Sequence, residues 1–415
     1  MNHRPFTSIL MIGWIAAAAV LPGCSKKPAQ PAGRGDGKAP KIAKAPVPLK
    51  LSAPVAETEA IDADHLAKVR KLVNGGLGYM VAQREVDGGW SMDGAMKPAI
   101  TAMVLKCLLQ HPDLDVNSPV VKKGFDVLLS YRQKDGAIFD PKQGMPAYST
   151  SIAVMAMAAA KDPKLNGAIR QASDYLKGIQ IKPGQESPDG GTVAADSPRV
   201  GGVGYGRNGE PNLSVLGFAM EAWHDAGVTA DDESMKMAIG FLSRLQNRSE
   251  SNPMPWAREG AGDGGYVYDL KTSKAGSGPE GRGLRSYGSM TYVGFKSMLY
   301  AGVDRNDPRV QGAYMWIRRH WRLDSNPNLP TARSKQGLFY YYHVFAKALR
   351  VWGVDEITDL KQVKHNWRHE LIDALSDRAA ADGSWVNTEA TRWDEGNPIL
   401  ATCFAVMALQ EALRK

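Results

Sequence analysis

"DGSWVNTEATRWDEGNPILATCFAVMAL", residues 382 to 409, holds a tight turn, a short polar loop and then a run with almost no polar face. Aspartate-glycine favours chain reversal, because glycine accepts positive φ and the aspartate side chain bonds local backbone. A helix that is apolar nearly all round must be enclosed on every side. The same succession occurs in "DGAIF" (135–139) followed by "STSIAVMAMAAA" (149–160). Related signals stand at "DGGW" (87–90), "DGG" (189–191), "DGGY" (263–266) and "GLFY" (337–340), so the pattern predicts six repeats.

The helix before each turn is of another kind. Val121, Phe125, Leu128 and Leu129 form an i, i+4, i+7, i+8 stripe, with Lys122, Lys123, Asp126 and Arg132 opposite. That pattern predicts one wet face. Alternating half-wet and enclosed helices predict an all-α fold, an α/α toroid of six helix pairs in two concentric rings. Gly/Pro-rich insertions around 181–211 and 248–288 lengthen the third and fourth units. An open solenoid is the competing architecture. Enclosed inner helices in all six units leave little room for the polar end caps that an open array needs.

"YLKGIQ" (175–180) and "FLSRLQ" (241–246), each followed by a glycine-aromatic turn, resemble the repeat of squalene and hopene cyclases and of protein prenyltransferase β-subunits. "GGVGYGRNGEPNLSVLGFAMEAW" (201–223) and "GSMTYVGFKSMLYAGV" (288–303), with the opening stretch, resemble bacterial prenyltransferase/squalene oxidase repeat proteins. The resemblance runs from about residue 66 to 412 and implies the toroid fold. It says far less about activity, since fold alone does not give function.

The chain start reads as an export signal. Arg4 precedes a short apolar run, Ile9 to Val20, which ends at Leu21-Pro22-Gly23-Cys24. This resembles a bacterial lipobox, which implies lipid on Cys24 and, with Ser25 after it, the outer membrane. Residues 1–24 are then signal, 25–60 a Pro/Lys-rich tether, and 61–415 the toroid. Seven basic residues against one acidic lie between 26 and 50, so the tether holds most of the net charge of +8. The toroid is nearly neutral, which argues against nucleic acid. The expected partners are a membrane, through the lipid, and an unknown ligand (isoprenoid, glycan or peptide). Cys107 and Cys403 lie in apolar helical runs and read as small hydrophobes, in a compartment that would also permit a disulfide.

The family chemistries fail one by one. A hopene-type cyclase protonates an alkene with an Asp-x-Asp-Asp motif, and none is present. Asp231-Asp232-Glu233 sits where an outer helix begins and reads as a cap. The family's zinc histidine segment is similar to "FYYYH" (339–343), with His343 in its place. Residues 284–292 offer neither the aspartate nor the cysteine that would complete the site, so no cofactor and no metal are expected. "GVGYG" (202–206) follows no predicted strand and reads as a turn rather than a dinucleotide loop. A lyase-type base remains open, because Lys97, Arg285, Tyr287, Tyr342 and His343 all stand at starts of inner helices.

Within the aromatic run at 340–343, helical geometry puts Tyr341, Phe345, Ala348 and Trp352 on an apolar stripe. Tyr340, His343, Lys347 and Arg350 fall on another, polar side. The candidate cleft is then built from three neighbouring helix starts: Tyr287, Ser289 and Tyr292; Tyr340, Tyr342 and His343; Trp393, Asp394, Glu395 and Asn397. The leading function is binding of a ligand or partner in the central cleft of a toroid that lacks the cyclase acid motif and the prenyltransferase zinc ligands. The alternative is a toroid-class enzyme acting on an isoprenoid or a uronate glycan.

Overall fold

A computed structural model describes residues 50–187 and 190–415. Cys24, the signal and most of the tether lie outside the described residues. Thirteen α-helices are described: α1 Ala63–Ala82, α2 Lys97–Leu109, α3 Pro119–Ser130, α4 Pro146–Ala159, α5 Asn166–Ile179, α6 Leu213–Asp225, α7 Glu233–Ser243, the short α8 Pro255–Glu259, α9 Gly288–Tyr300, α10 Pro308–Arg319, α11 Leu338–Trp352, α12 Trp367–Ser376 and α13 Pro398–Ala412. Two small antiparallel hairpins, Glu186–Ser187 with Gly191–Thr192 and Glu356–Thr358 with Lys364–Asn366, decorate loops.

Helices α2, α4, α6, α9, α11 and α13 form the inner ring, each packed on the next, and α13 returns to α2. At that joint Gln410 Nε2 donates to the Cys107 carbonyl at 2.8 Å. Cys107 and Cys403 meet there as free thiols. Burial follows the expected pattern, with every residue of α13 from Ile399 to Ala412 buried. On α3, Val121, Phe125 and Leu128 face inward while Lys122, Lys123 and Asp126 are exposed. Asp232 caps α7 by accepting from Ser234 N.

One joint recurs around the ring. The backbone N–H of the residue after the turn donates to a threonine hydroxyl on the following inner helix: Trp90 to Thr101 at 2.9 Å, Ile138 to Thr150 at 2.9 Å, Tyr266 to Thr291 at 3.1 Å and Trp385 to Thr402 at 2.9 Å. The turn glycine meanwhile lies against backbone of the next outer helix. A methyl group on Gly136 would stand 2.5 Å from the Gln171 carbonyl oxygen, and one on Gly264 2.4 Å from that of Gly312. At the seam, one on Gly383 would stand 2.4 Å from the carbonyl oxygen of Gly75 on α1. The sixth repeat therefore meets the first as any repeat meets its successor, and the ring is closed. The glutamines of the two "Q" motifs bolt the same layer: Gln180 Nε2 donates to the Gly201 and Ser234 carbonyls, and Gln246 Nε2 to those of Gly264 and Arg309.

Two of the six expected turns fall elsewhere. In the third unit the equivalent of Gly264 is Gly201, not the glycines of 189–191. Gly201 has φ +87°, receives Gln180, and a methyl group on it would stand 2.0 Å from the Met237 carbonyl oxygen. Gly191 instead pairs with Ser187 in the inserted hairpin. In the fifth unit Gly337 is the left-handed N-cap of α11 itself. Tyr342 stands in the threonine position there and reaches further, donating to the Leu323 carbonyl at 2.5 Å. The tether expected to run to residue 60 is bound along its last stretch. Ser52 bonds Asp113, Arg70 Nε donates to the Pro54 carbonyl, and Glu57 N donates to Leu413 O at 2.7 Å.

Gly201→Ala should lower stability in urea unfolding by roughly 3 kcal/mol, combining a left-handed side chain with a backbone clash. Gly94→Ala, at a similar φ of +90° but with nothing near its added methyl, should cost only about 1 kcal/mol.

Candidate ligand vestibule

The axis of the ring is lined by one stripe from each inner helix, and α11 shows how its halves differ. Tyr340 and His343 both face Phe404 of α13, with ring centroids 5.6 and 5.8 Å away. One and two turns later Lys347 and Arg350 both reach Glu411. The opposite stripe packs outward, Phe345 on Trp321 at 5.3 Å and Trp352 on Tyr314 at 4.8 Å. The polar stripe of the sequence is thus the axial one.

In the C-terminal half of the inner helices the axis is filled by charge. Glu221 of α6 is fully buried. Its carboxylate takes Lys296 of α9 at 2.5 Å, Lys106 of α2 at 3.1 Å and Lys347 of α11 at 3.3 Å. Lys347 also bonds Glu411 at 2.9 Å, and Lys106 lies 3.5 Å from Asp225. The remaining inner helix, α4, offers Met155 Sδ to Lys106 at 3.4 Å. Burial alone would raise the Glu221 carboxyl. Lys296, Lys347 and Lys106 more than offset it and hold the group well below the carboxylate range. Glu411 is likewise held down by Lys347 and Arg350 against its burial. Both carboxylates are therefore ionised.

Above this plug, toward the N-terminal ends of the inner helices, lies an aromatic vestibule. Tyr148 of α4 meets Phe218 of α6 edge-on at 5.1 Å, and Phe218 stacks against Tyr340 at 6.0 Å. The Tyr340 hydroxyl lies 3.2 Å from Ser214 Oγ. Tyr148 and Tyr340 are half-buried, and Tyr205, whose hydroxyl pairs with that of Tyr268 at 3.4 Å, is exposed. Burial pushes the phenols of Tyr148, Tyr268, Tyr287 and Tyr340 up, so they stay protonated donors. Lys274 Nζ sits 4.0 Å over the Tyr268 ring. His343, between vestibule and plug, is driven down to about 3 by burial and stays neutral beside the three lysines, its Nδ1 without a protein partner.

Left-handed backbone recurs just before the inner helices. Asp93 (φ 50°) and Met96 (φ 54°) precede α2, Met145 (φ 58°) precedes α4, and Trp393 (φ 60°) and Asp394 (φ 63°) precede α13. Such strain concentrates where a surrounding structure holds it for a purpose.

The residues singled out from sequence separate into several roles. Tyr287, Tyr340 and His343 belong to the vestibule and its floor. Ser289 is tied to Asn326, receiving Asn326 Nδ2 at 3.2 Å. Tyr292 packs outward on Tyr341 and Phe345, and Tyr342 bonds the Leu323 carbonyl. Glu395 is buried and caps α11: its carboxylate accepts from Tyr340 N and Asn387 Nδ2, both at 2.8 Å. Burial, opposed by those bonds, raises its pKa to about 7. Trp393 is exposed and lies over Gly337, and Asp394 is exposed on the same turn. Asn397 caps α13 and points to Asp93, in a separate cleft of about 240 Å³ lined by Tyr79, Glu85 and Ser91.

Sequence reasoning passed over Tyr148, Ser214, Phe218, Phe404 and, apart from the stripe of Lys347 and Arg350, the plug. A signal existed: Lys106, Glu221, Lys296 and Lys347 each interrupt an apolar inner helix at nearly the same distance from its start.

No protein-family model matches the chain, and no curated protein matches it. Among solved structures, the type II terpene cyclase MstE from Scytonema, in its apo form, superposes with a TM-score of 0.52 at 15% identity, covering 84% of this chain and 98% of the cyclase. A variant of that enzyme with its substrate geranylgeranyl dihydroxybenzoate gives 0.53 at 14% identity, over 85% and 99% of the two chains. The likeness establishes the α/α toroid.

Glu221→Gln should destabilise the protein by about 3–5 kcal/mol in urea unfolding at pH 7, because it leaves Lys296 buried without a carboxylate. Glu221 titrates lower when folded than its ordinary 4.5, so its contribution is present above that value and lost as pH falls below it. The gap between wild type and variant should therefore hold from pH 8 to 5 and narrow in more acidic buffer.

Proposed function

We propose that this protein is a lipid-anchored toroid of the cell envelope that binds a ligand in its tyrosine-walled vestibule and performs neither cyclisation nor prenyl transfer. The observation that carries the reading is an axis lined at one end by half-buried phenols and aromatic rings, with exposed Tyr205 beside them, and filled beneath by ionised groups. Cyclisation by protonation needs an acid on the axis. Glu221 and Glu411 are held as carboxylates and have no proton to give, and Glu395, a carboxyl poised near neutrality, faces the start of α11. Phenol donors beside flat aromatic faces suit a ligand with apolar faces and a few polar groups, a sugar ring being one example.

Anchoring through Cys24 would hold the vestibule close to an outer membrane. No helix among the described residues is long and apolar enough to cross one. The basic tether would add attraction to anionic headgroups.

Native mass spectrometry of protein extracted from its own membrane should show a retained small molecule. Tyr340→Ala and Phe218→Ala should each lower its occupancy about tenfold, as expected for the loss of roughly 1–2 kcal/mol of aromatic contact. Ligand kept at full occupancy in both variants would move the site elsewhere. Cys24→Ala should separately release the protein from the outer-membrane fraction, and unchanged fractionation would refute the anchor.

A further inference from the structure

The seam between the first and last outer helices holds a cluster that the vestibule does not use. Asp62, the N-cap of α1, and His65 on its first turn face His369 and Asp373 of α12. The His65 and His369 rings stack with centroids 4.0 Å apart and planes within 4°. His65 Nδ1 lies 2.8 and 2.9 Å from the two Asp62 oxygens, and His369 Nδ1 lies 3.7 Å from Asp62 Oδ2. One ligand atom from each of Asp62, His65 and His369 falls within 4.8 Å of the others, the one such group among the described residues.

Bonds of about 2.0–2.1 Å to a tetrahedral ion put neighbouring ligand atoms roughly 3.3 Å apart, and the observed 2.9 and 3.7 Å separations bracket that value. The outer contacts also fit. Asp373 Oδ2 stands 3.3 Å from His65 Nε2, the nitrogen left over when Nδ1 ligates, which is how a carboxylate orients a metal-bound imidazole. His369 Nε2 accepts from the Asp62 backbone N–H at 3.2 Å, a contact that opens when the ring tilts and takes the tautomer whose Nδ1 can ligate. Both histidines are about a quarter exposed or less, and Asp62 about half, so the rings have room to tilt out of the stack toward a shared ion. Two imidazoles with a carboxylate select zinc-class ions over magnesium or calcium.

We propose that Asp62, His65 and His369 bind one divalent transition-metal ion of the zinc class, with Asp373 orienting His65 and water completing the shell. The ion would clamp α1 to α12 across the ring's seam. The test uses the full chain in detergent, loaded with zinc and dialysed against metal-free buffer. Elemental analysis should give about one zinc per chain, falling at least about tenfold in His65→Gln and in His369→Gln. Zinc should raise the thermal midpoint of wild type and of neither variant. Should a histidine variant fail to fold, Asp62→Asn keeps the helix cap and should show the same zinc loss. No retained zinc in wild type, or undiminished zinc in the variants, overturns the proposal.

Discussion

Everything on the axis depends on how six parallel helices share one centre. Their C-terminal ends bring six sets of unpaired carbonyls together, and each helix end carries about half a negative charge. Cations in that half answer the accumulated field. Lys106, Lys296, Lys347 and Arg350 occupy it, and Glu221, Glu411 and Asp225 then fix them in place. The network is a keystone in the literal sense, because its members come from α2, α6, α9, α11 and α13. No one of them could be buried unless the other four helices were already in position. The opposite end of the ring inherits the positive ends of the same dipoles. Phenol and aromatic surface gather there, with Lys274 lying over the Tyr268 ring.

Much of the architecture was legible because turns and apolar helices are local signals. Asp-Gly at 135, 263 and 382 needs only its own backbone to be recognised, and so does the all-round apolarity of 397–409. The partition of the aromatic run into an outward stripe through Phe345 and an axial stripe through His343 and Lys347 also follows from local geometry. The third turn misled because its insertion contains several glycines. What marks Gly201 is the approach of Met237, which is distant in sequence. The fifth turn misled because Tyr342 does the work of threonine by a longer reach.

The site was only half legible for the same reason. Tyr287, Tyr340 and His343 stand at helix starts and are gathered by that position alone. Glu395 stands in sequence just before α13 among the candidate cleft residues, yet it turns away from that helix to cap its neighbour α11. A lysine in an apolar helix looks like an isolated cost until the ring brings a glutamate to it. Lys106 and Glu221 are 115 residues apart, and nothing in either helix names the other.

The seam has a wider consequence. Gly383 meets α1 as Gly264 meets α10, and Glu57 is hydrogen-bonded to Leu413, so the first and last repeats of the toroid meet in a continuous ring. An open repeat array gains stability unit by unit and can fray from its tips. This ring has no tips. Its repeats stand or fall together, and which of them comes first is an accident of where the chain is cut. Joining the toroid's first and last described segments and reopening the backbone in an exposed connection between repeats would permute the order of the helices while leaving the interfaces between repeats intact.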